Sequence, residues 1–155
     1  TPWLGDRIRP KDAYFALKTV VQMIGGSTYR ERLDLPPELW ALVFERGEEA
    51  VVALWSVDGE VVMTLGNTAI VKSVTSMVGS PVLLSDRDLP DAVLKGANGE
   101  VVVREDRKIG WDGPNTLRLS GRPLYLHADR KDLALLGKQL REAGTRQSLC
   151  AAGVP

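Results

Sequence analysis

The residue types that carry much of enzyme chemistry are scarce in this chain. It contains one histidine, His127, and one cysteine, Cys150. A Ser–His–Asp triad needs a histidine within reach of a serine, but His127 falls at the end of a predicted strand, where a half-exposed structural residue is the favoured interpretation. One histidine and one cysteine are also too few for a typical zinc site. Because Cys150 is alone, an intrachain disulfide is excluded.

Other motifs with a known chemistry are missing from the sequence as well. It contains neither G-x-G-x-x-G nor G-x-x-x-x-G-K-[ST], and the acidic segments DRD and DLPDAV near residue 86 lack the spacing of a calcium loop. Glycoside hydrolysis needs two carboxyl groups held across a cleft, but no acidic pair stands at a strand end of an α/β frame. We therefore assign no catalytic residue, no metal ligand and no cofactor.

Aromatic residues are the remaining candidates for binding, since sugars stack on exposed aromatic faces. Trp111 lies in the turn-rich segment KIGWDGPN, with Asp112 and Asn115 as polar neighbours. These three residues form a candidate carbohydrate site, but a packed loop anchor is the favoured interpretation for Trp111. Trp40 and Trp55 lie inside strand patterns, so core packing is the favoured role for both.

A helix is predicted over residues 11–24, near the start of the chain. Pro10 suits a first helical turn, and Gly25 and Gly26 supply a stop. The apolar residues recur at steps of three and four, which is the helical period; the main stripe consists of Tyr14, Leu17, Val21 and Ile24. This stripe predicts a surface that packs against a neighbouring structure.

Short strands and turns are predicted for roughly the next hundred residues. Residues 28–38 read as an extended connector, and apolar alternation predicts strands at 40–44, 50–57, 61–65, 69–74, 81–84, 100–104, 116–119 and 124–127. Asp58-Gly59 between two such runs is a hairpin signal. This spacing indicates an all-β fold: an antiparallel β-sandwich of seven to eight strands with a flanking helix at each end.

A second helix is predicted over residues 130–143, with Asp129 as its cap and Gly144 as its stop. The residues that follow read as a loose tail. The expected organisation is therefore a helical segment at 1–27, a β-sandwich domain at 28–128, and a helix with a tail at 129–155.

The charges of the chain balance, with 20 basic and 20 acidic residues among 155. This balance argues against nucleic acid as a partner, because such proteins carry a basic surface. No apolar run reaches the ~18 residues that a membrane span requires, so no membrane partner is expected.

The opening segment resembles the last loop and final helix of the (β/α)8 barrel in many glycoside hydrolases. The family phrase is close to G-x-P-K-P-A-Y-x-A-L, and six residues match it: Pro10, Lys11, Ala13, Tyr14, Ala16 and Leu17. Asp12 stands where the family usually has a second proline. The segments ALVFERG, EEAVVALWS and LRLSGRPLYL that follow resemble the C-terminal β-sandwich of such enzymes, so the resemblance covers residues 4–127.

This resemblance implies that the chain is a non-catalytic accessory domain, and that the catalytic carboxylates lie on a barrel preceding Thr1. Tyr14, Leu17, Val21 and Ile24 would then pack against the barrel of the same parent protein, or against another copy of the chain. Two alternatives stay open. The chain would be a carbohydrate-binding module if Trp111, Asp112 and Asn115 bind sugar, or an interaction domain if its helices mediate assembly.

Overall fold

The computed structural model describes residues 12–82, 93–95, 101–103 and 115–151, with side chains for 13–82 and 115–144. This part of the chain is mostly β, with antiparallel sheets between an N-terminal and a C-terminal helix, as predicted. The helices are α1 (Asp12–Ile24) and α2 (Leu133–Ala151). The strands are β1 (Thr28–Arg32), β2 (Leu39–Arg46), β3 (Glu49–Ser56), β4 (Val61–Thr64), β5 (Val71–Thr75), β6 (Val93–Lys95), β7 (Val101–Val103), β8 (Thr116–Leu119) and β9 (Leu124–Asp129).

The largest sheet has five strands in the order β1-β2-β3-β9-β5, and every pairing is antiparallel. Its centre is the hairpin of β2 and β3, in which Arg46 pairs with Glu49. Gly47 forms this turn with a φ of 61°, a left-handed angle that glycine adopts without steric cost. The break between the strands predicted at 40–44 and 50–57 is therefore a hairpin turn. β1, which we expected to be a connector, pairs with β2 and forms one edge of the sheet.

The predicted hairpin at Asp58-Gly59 is wrong, because β3 and β4 belong to different sheets. β4 pairs with β8, whereas both edges of β3 are already occupied by β2 and β9. Beyond β3 the chain is held by two backbone bonds, from Ser56 N–H to Ser120 O and from Val57 N–H to Glu38 O, each 2.8 Å long. Gly59 still turns the chain, with a φ of 72°, but the turn leads from one sheet into the other.

Two of the predicted strands lie next to residues that the structure does not describe. β7 lies inside the strand predicted at 100–104, and it pairs with β6, which was not predicted. In the strand predicted at 81–84, Pro81 forms an isolated bridge with Thr75. Residues 83 and 84 lie outside the described part of the chain.

One apolar core joins the five-stranded sheet, the β4–β8 pair and α2. Alternate residues of β2, β3 and β9 enter it from the large sheet, including Val43, Leu54 and Leu126. Leu117 and Leu119 enter it from β8, and both are fully buried. Since the two sheets and α2 share these contacts, the burial of each depends on the others.

The C-terminal helix is longer than predicted. A 3-10 turn at Arg130–Asp132 leads into α2, which then continues through Gly144 to Ala151, so the predicted stop and the loose tail are both wrong. Gly144 lies where α2 meets Leu39 and Pro36, and a Cβ there would stand 3.0 Å from Leu39 Cδ1. This glycine therefore permits a close approach and does not end the helix.

Asp129 holds the N-cap position of the 3-10 turn, but its side chain forms no cap hydrogen bond there. Its Oδ1 instead accepts a hydrogen bond from Lys72 Nζ on β5, at 3.4 Å. The predicted capping role is therefore wrong, because the carboxylate is directed across the sheet to a lysine.

Candidate docking surface on helix α1

Helix α1 lies on the face of the five-stranded sheet that is opposite the main core. Val20, Met23 and Ile24 pack against a second apolar cluster, which consists of Val51, Ala53 and Tyr125. Thr19 is almost completely buried in this contact, and its hydroxyl donates to Phe15 O at 2.7 Å. The polar group is thereby satisfied within the helix, which is the usual arrangement for a buried threonine.

The C-terminus of α1 is tied to the sheet by charge and by hydrogen bonds. Arg46 Nη1 on β2 donates to Gly25 O at 2.9 Å, which places a cation at the negative end of the helix dipole. Gly26 has a φ of 73°, so the predicted glycine stop is confirmed. The hydroxyl of Ser27 donates to Ile24 O. These contacts fix the end of the helix relative to the sheet.

His127, like Tyr125, is a residue of β9 that faces this helix. Its Nε2 lies 2.9 Å from Met23 Sδ, so the ring is directed at a thioether. Burial lowers the pKa of the half-buried imidazole below its ordinary value, and the nearby Lys72 and Arg46 lower it further, whereas Glu49 opposes them. The interpretation of His127 as a structural residue in a strand fits this position.

A second apolar surface of α1, beside the one that packs on the sheet, points into solvent. Leu17 is 66% exposed, Val21 60%, Tyr14 55% and Phe15 38%. The rings of Tyr14 and Phe15 meet edge to face, with centroids 5.5 Å apart. We call Tyr14, Leu17 and Val21 the outer face of α1. The structure therefore divides the predicted stripe, because Ile24 packs on the chain's own sheet and the other three residues do not.

Beside α1, the same side of the sheet carries a half-buried row of aromatic side chains. Trp40 and Trp55 are cross-strand partners and stack with centroids 5.8 Å apart and ring planes at 19°. The guanidinium of Arg32 lies 3.4 Å above the Trp40 ring, in cation–π geometry. Tyr29 and Phe44 meet edge to face, with centroids 5.7 Å apart. Core packing was predicted for both tryptophans; Trp55 packs against the second apolar cluster, and Trp40 is half-buried against Trp55 and Arg32.

The candidate carbohydrate residues are placed only in part. Trp111 and Asp112 lie outside the described residues, so the structure does not bring the three together. Asn115 is half-buried at the start of β8, and its Oδ1 accepts a hydrogen bond from the hydroxyl of Thr68 at 2.9 Å. Its backbone O accepts the N–H of Leu65 at 2.8 Å. In this conformation Asn115 links the ends of β4 and β8.

The described residues offer no arrangement typical of a metal centre. No three of their His, Cys, Asp and Glu side chains are grouped closely enough to hold a metal ion. Neither described helix is long and apolar enough to cross a membrane. The outer face of α1 is therefore the feature that most needs an explanation, since large exposed apolar patches generally mark contact surfaces.

Comparison with known proteins gives no independent identification of this surface. No protein-family model matches the chain, and no curated protein or solved structure matches it.

Proposed function

We propose that this chain is a non-catalytic accessory domain of a glycoside hydrolase-like protein, and that the outer face of α1 packs against the catalytic barrel of that protein. One observation carries the proposal: the apolar surface of α1 is wider than the part that the chain's own sheet covers, because Tyr14, Leu17 and Val21 stay exposed beside it. The apolar stripe of an amphipathic helix is typically buried against another element. The outer face therefore calls for a second structure.

The resemblance of residues 4–127 to the end of a hydrolase barrel and its C-terminal domain supplies the identity of that second structure. In the resemblance, the segment around α1 is the last barrel helix, which packs on the barrel on one side. A β-sandwich is part of this proposal: the five-stranded sheet would form one layer and the β4–β8 pair would belong to the other, with the shared core between them.

The contact would contribute appreciably to stability. Complete burial of a leucine or valine side chain contributes about 1.5–3 kcal/mol, and Leu17 and Val21 each expose well over half of their surface here. Replacing both by serine should therefore destabilise a protein that contains the barrel by about 2–5 kcal/mol. In the 155-residue chain the same change should be nearly neutral, because surface substitutions usually stay within about 0.5 kcal/mol.

The experiment compares the 155-residue chain with the longer protein that would contain the barrel. The double variant Leu17→Ser/Val21→Ser is made in the 155-residue chain and in the polypeptide of the complete reading frame, and thermal unfolding is measured for each. Lys18→Ser, on the same exposed side of the helix, is the matched control and should change neither protein. Equal effects in both proteins, or a reading frame without a barrel preceding Thr1, would refute the proposal.

The same surface also fits a second copy of the chain, which is the assembly alternative. Light scattering across a range of protein concentrations separates the two: an assembly domain gives a mass that rises with concentration and falls to the monomer in Leu17→Ser/Val21→Ser. A constant monomer mass for the wild type removes this alternative and leaves the packing on a barrel.

A further inference from the structure

A groove of about 270 Å³ lies on the other side of the sheet, between the edge strand β1 and helix α2. Its floor is apolar and is formed by Leu33, Val43, Leu133, Ala134 and Gly137. Gly137 keeps the groove open on the helix side, because it has no side chain to project toward Leu33. Leu33 and Leu133 are only partly buried, so the groove exposes apolar side chains at the margin of the core.

The rim of this groove carries charged side chains. Arg30 and Glu31 stand on β1, and Arg141 stands across from them on α2. Arg30 Nη1 donates to Glu45 Oε1, and the same carboxylate oxygen lies 3.4 Å from Arg130 Nε. Glu45 therefore serves two arginines at once, and Arg30 keeps donors that are not used in this pair.

The charges around the groove do not cancel. Two of the residues that line it, Arg30 and Arg141, are cationic, and one, Glu31, is anionic. Within the described part of the chain, Arg141 forms no ion pair. The groove therefore combines an apolar floor with one excess positive charge, located at the α2 side of its rim.

We propose that this groove binds a small apolar carboxylate, of the size of a medium-chain fatty acid. The hydrocarbon chain would lie on Leu33 and Leu133, and the carboxylate would accept hydrogen bonds from Arg141. A guanidinium is suited to this role because its planar fork matches the geometry of a carboxylate. Ligand pockets usually measure about 300–1,000 Å³, and this groove is slightly smaller, so only a small ligand would fit it.

This inference is independent of the proposed function, since the groove and α1 lie on opposite faces of the sheet.

Glu31 also affects which ligand charge the groove would accept. The Glu31 side chain is 56% exposed at the rim, and it would repel a carboxylate but attract an ammonium group. The two arginines of the rim therefore favour an anionic amphiphile, whereas Glu31 disfavours it.

The first experiment is an amide NMR titration of the 155-residue chain with octanoate, octanol and octylamine, each below its micelle-forming concentration. Octanoate should cause saturable shifts at the amides of Leu33, Gly137 and Arg141. Octanol should bind several-fold more weakly, and octylamine should give no saturable shift. The absence of saturable shifts with octanoate, equal affinity for octanol, or shifts confined to α1 would each overturn the proposal.

Substitutions of three exposed residues then test which charged side chains affect the affinity for octanoate. Arg141→Gln should weaken octanoate binding by about five- to tenfold, because it removes a charge-assisted hydrogen bond, and should leave octanol unchanged. Glu31→Gln should strengthen octanoate binding by about two- to threefold, the effect of one solvent-screened charge. Arg122→Gln, in the turn before β9, is the matched control and should change nothing. An unchanged octanoate affinity in Arg141→Gln would contradict the proposal.

Discussion

At the scale of single residues, Asn115 combines an unusual backbone angle with two hydrogen bonds. Its φ is 59°, in the left-handed region. Its side chain accepts a bond from Thr68 and its backbone O accepts one from Leu65. Asparagine is among the residues that tolerate this region, so the residue type suits both the backbone and the side-chain contact.

Two substitutions of Asn115 separate these contributions. Asn115→Ala should lower the free energy of unfolding by about 1.5–2.5 kcal/mol, because it loses the hydrogen bond and because alanine tolerates the left-handed region less well than asparagine does. Asn115→Gly loses the same bond but accepts the angle, so it should cost about 1 kcal/mol less. Urea unfolding of both variants measures the difference. If glycine proves as destabilising as alanine, the backbone angle is not a cause.

His127 links stability to pH because its imidazole is half-buried beneath α1. The pKa of the imidazole is lowered in the folded state, mainly by burial, and is about 6.5 in an unfolded chain. Between these two values the unfolded state binds more protons, so the free energy of unfolding rises with pH in this window. The contribution of His127 is therefore complete above about pH 6.5 and is lost as the pH falls toward the folded pKa.

The variant His127→Gln tests this dependence, because glutamine keeps an N–H donor for the Met23 thioether but does not titrate. The wild type should lose more stability than the variant when the pH falls from about 7 to about 5, since the other titrating groups are common to both. Chemical unfolding at several pH values gives the two slopes. Parallel curves would show that the histidine does not contribute.

At the scale of elements, two glycines of α2 have opposite roles. A Cβ on Gly144 would stand 3.0 Å from Leu39 Cδ1 and 3.2 Å from Pro36 Cδ, and neither neighbour can move easily because Leu39 is buried and the proline ring is rigid. A Cβ on Gly137 would meet its nearest atom, Leu33 Cδ2, at 3.6 Å, which is an ordinary contact.

Alanine substitutions at the two positions should therefore have opposite signs. Gly137→Ala should stabilise the protein by about 0.5–1 kcal/mol, because alanine is the better helix former. Gly144→Ala gains the same propensity but overpacks the contact with β2, so it should destabilise by about 1–2 kcal/mol. Thermal unfolding of the two variants measures the sign of each change in stability. Stabilisation by Gly144→Ala would mean that α2 can shift away from Leu39 at little cost.

Elements with a strong local pattern could be predicted from the sequence, and those defined by distant partners could not. α1 and the hairpin of β2 and β3 carry their own periodicity and turn residues, and both were predicted within a residue or two. The turn at Asp58-Gly59 has the same local signal, but its outcome depends on β9 occupying the edge of β3. β1 has no apolar alternation, because all five of its residues are exposed at the sheet edge.

The candidate sites, too, could be predicted only where they depend on a local sequence pattern. The period of α1 predicted an apolar stripe with a need for a partner, but it could not tell which face the chain's own sheet would cover. Val20, Met23 and Ile24 pack on the sheet, and this leaves Tyr14, Leu17 and Val21 outside. The groove beside α2 could not be foreseen, since it depends on how far Leu133 and Gly137 stand from the edge strand.

At the scale of the whole molecule, the shared core decides whether the two sheets unfold together. Leu126 on β9 and Leu119 on β8 are both fully buried in that core, one from each sheet. A buried leucine replaced by alanine costs about 2–5 kcal/mol, depending on the cavity that remains. If the two sheets unfold as one cooperative unit, either substitution lowers the free energy of the same unfolding transition.

Leu119→Ala and Leu126→Ala should therefore each shift the single urea transition to lower concentration by a similar amount, with coincident curves from tryptophan fluorescence and far-ultraviolet circular dichroism. Trp40 and Trp55 make fluorescence sensitive to the large sheet, whereas Leu119 belongs to the small one. If Leu119→Ala left the fluorescence transition unchanged, the β4–β8 pair would be an independent unit. The two-layer arrangement that the proposed function requires would then be untenable, because a layer that can unfold alone does not hold the sheet beneath α1 in place.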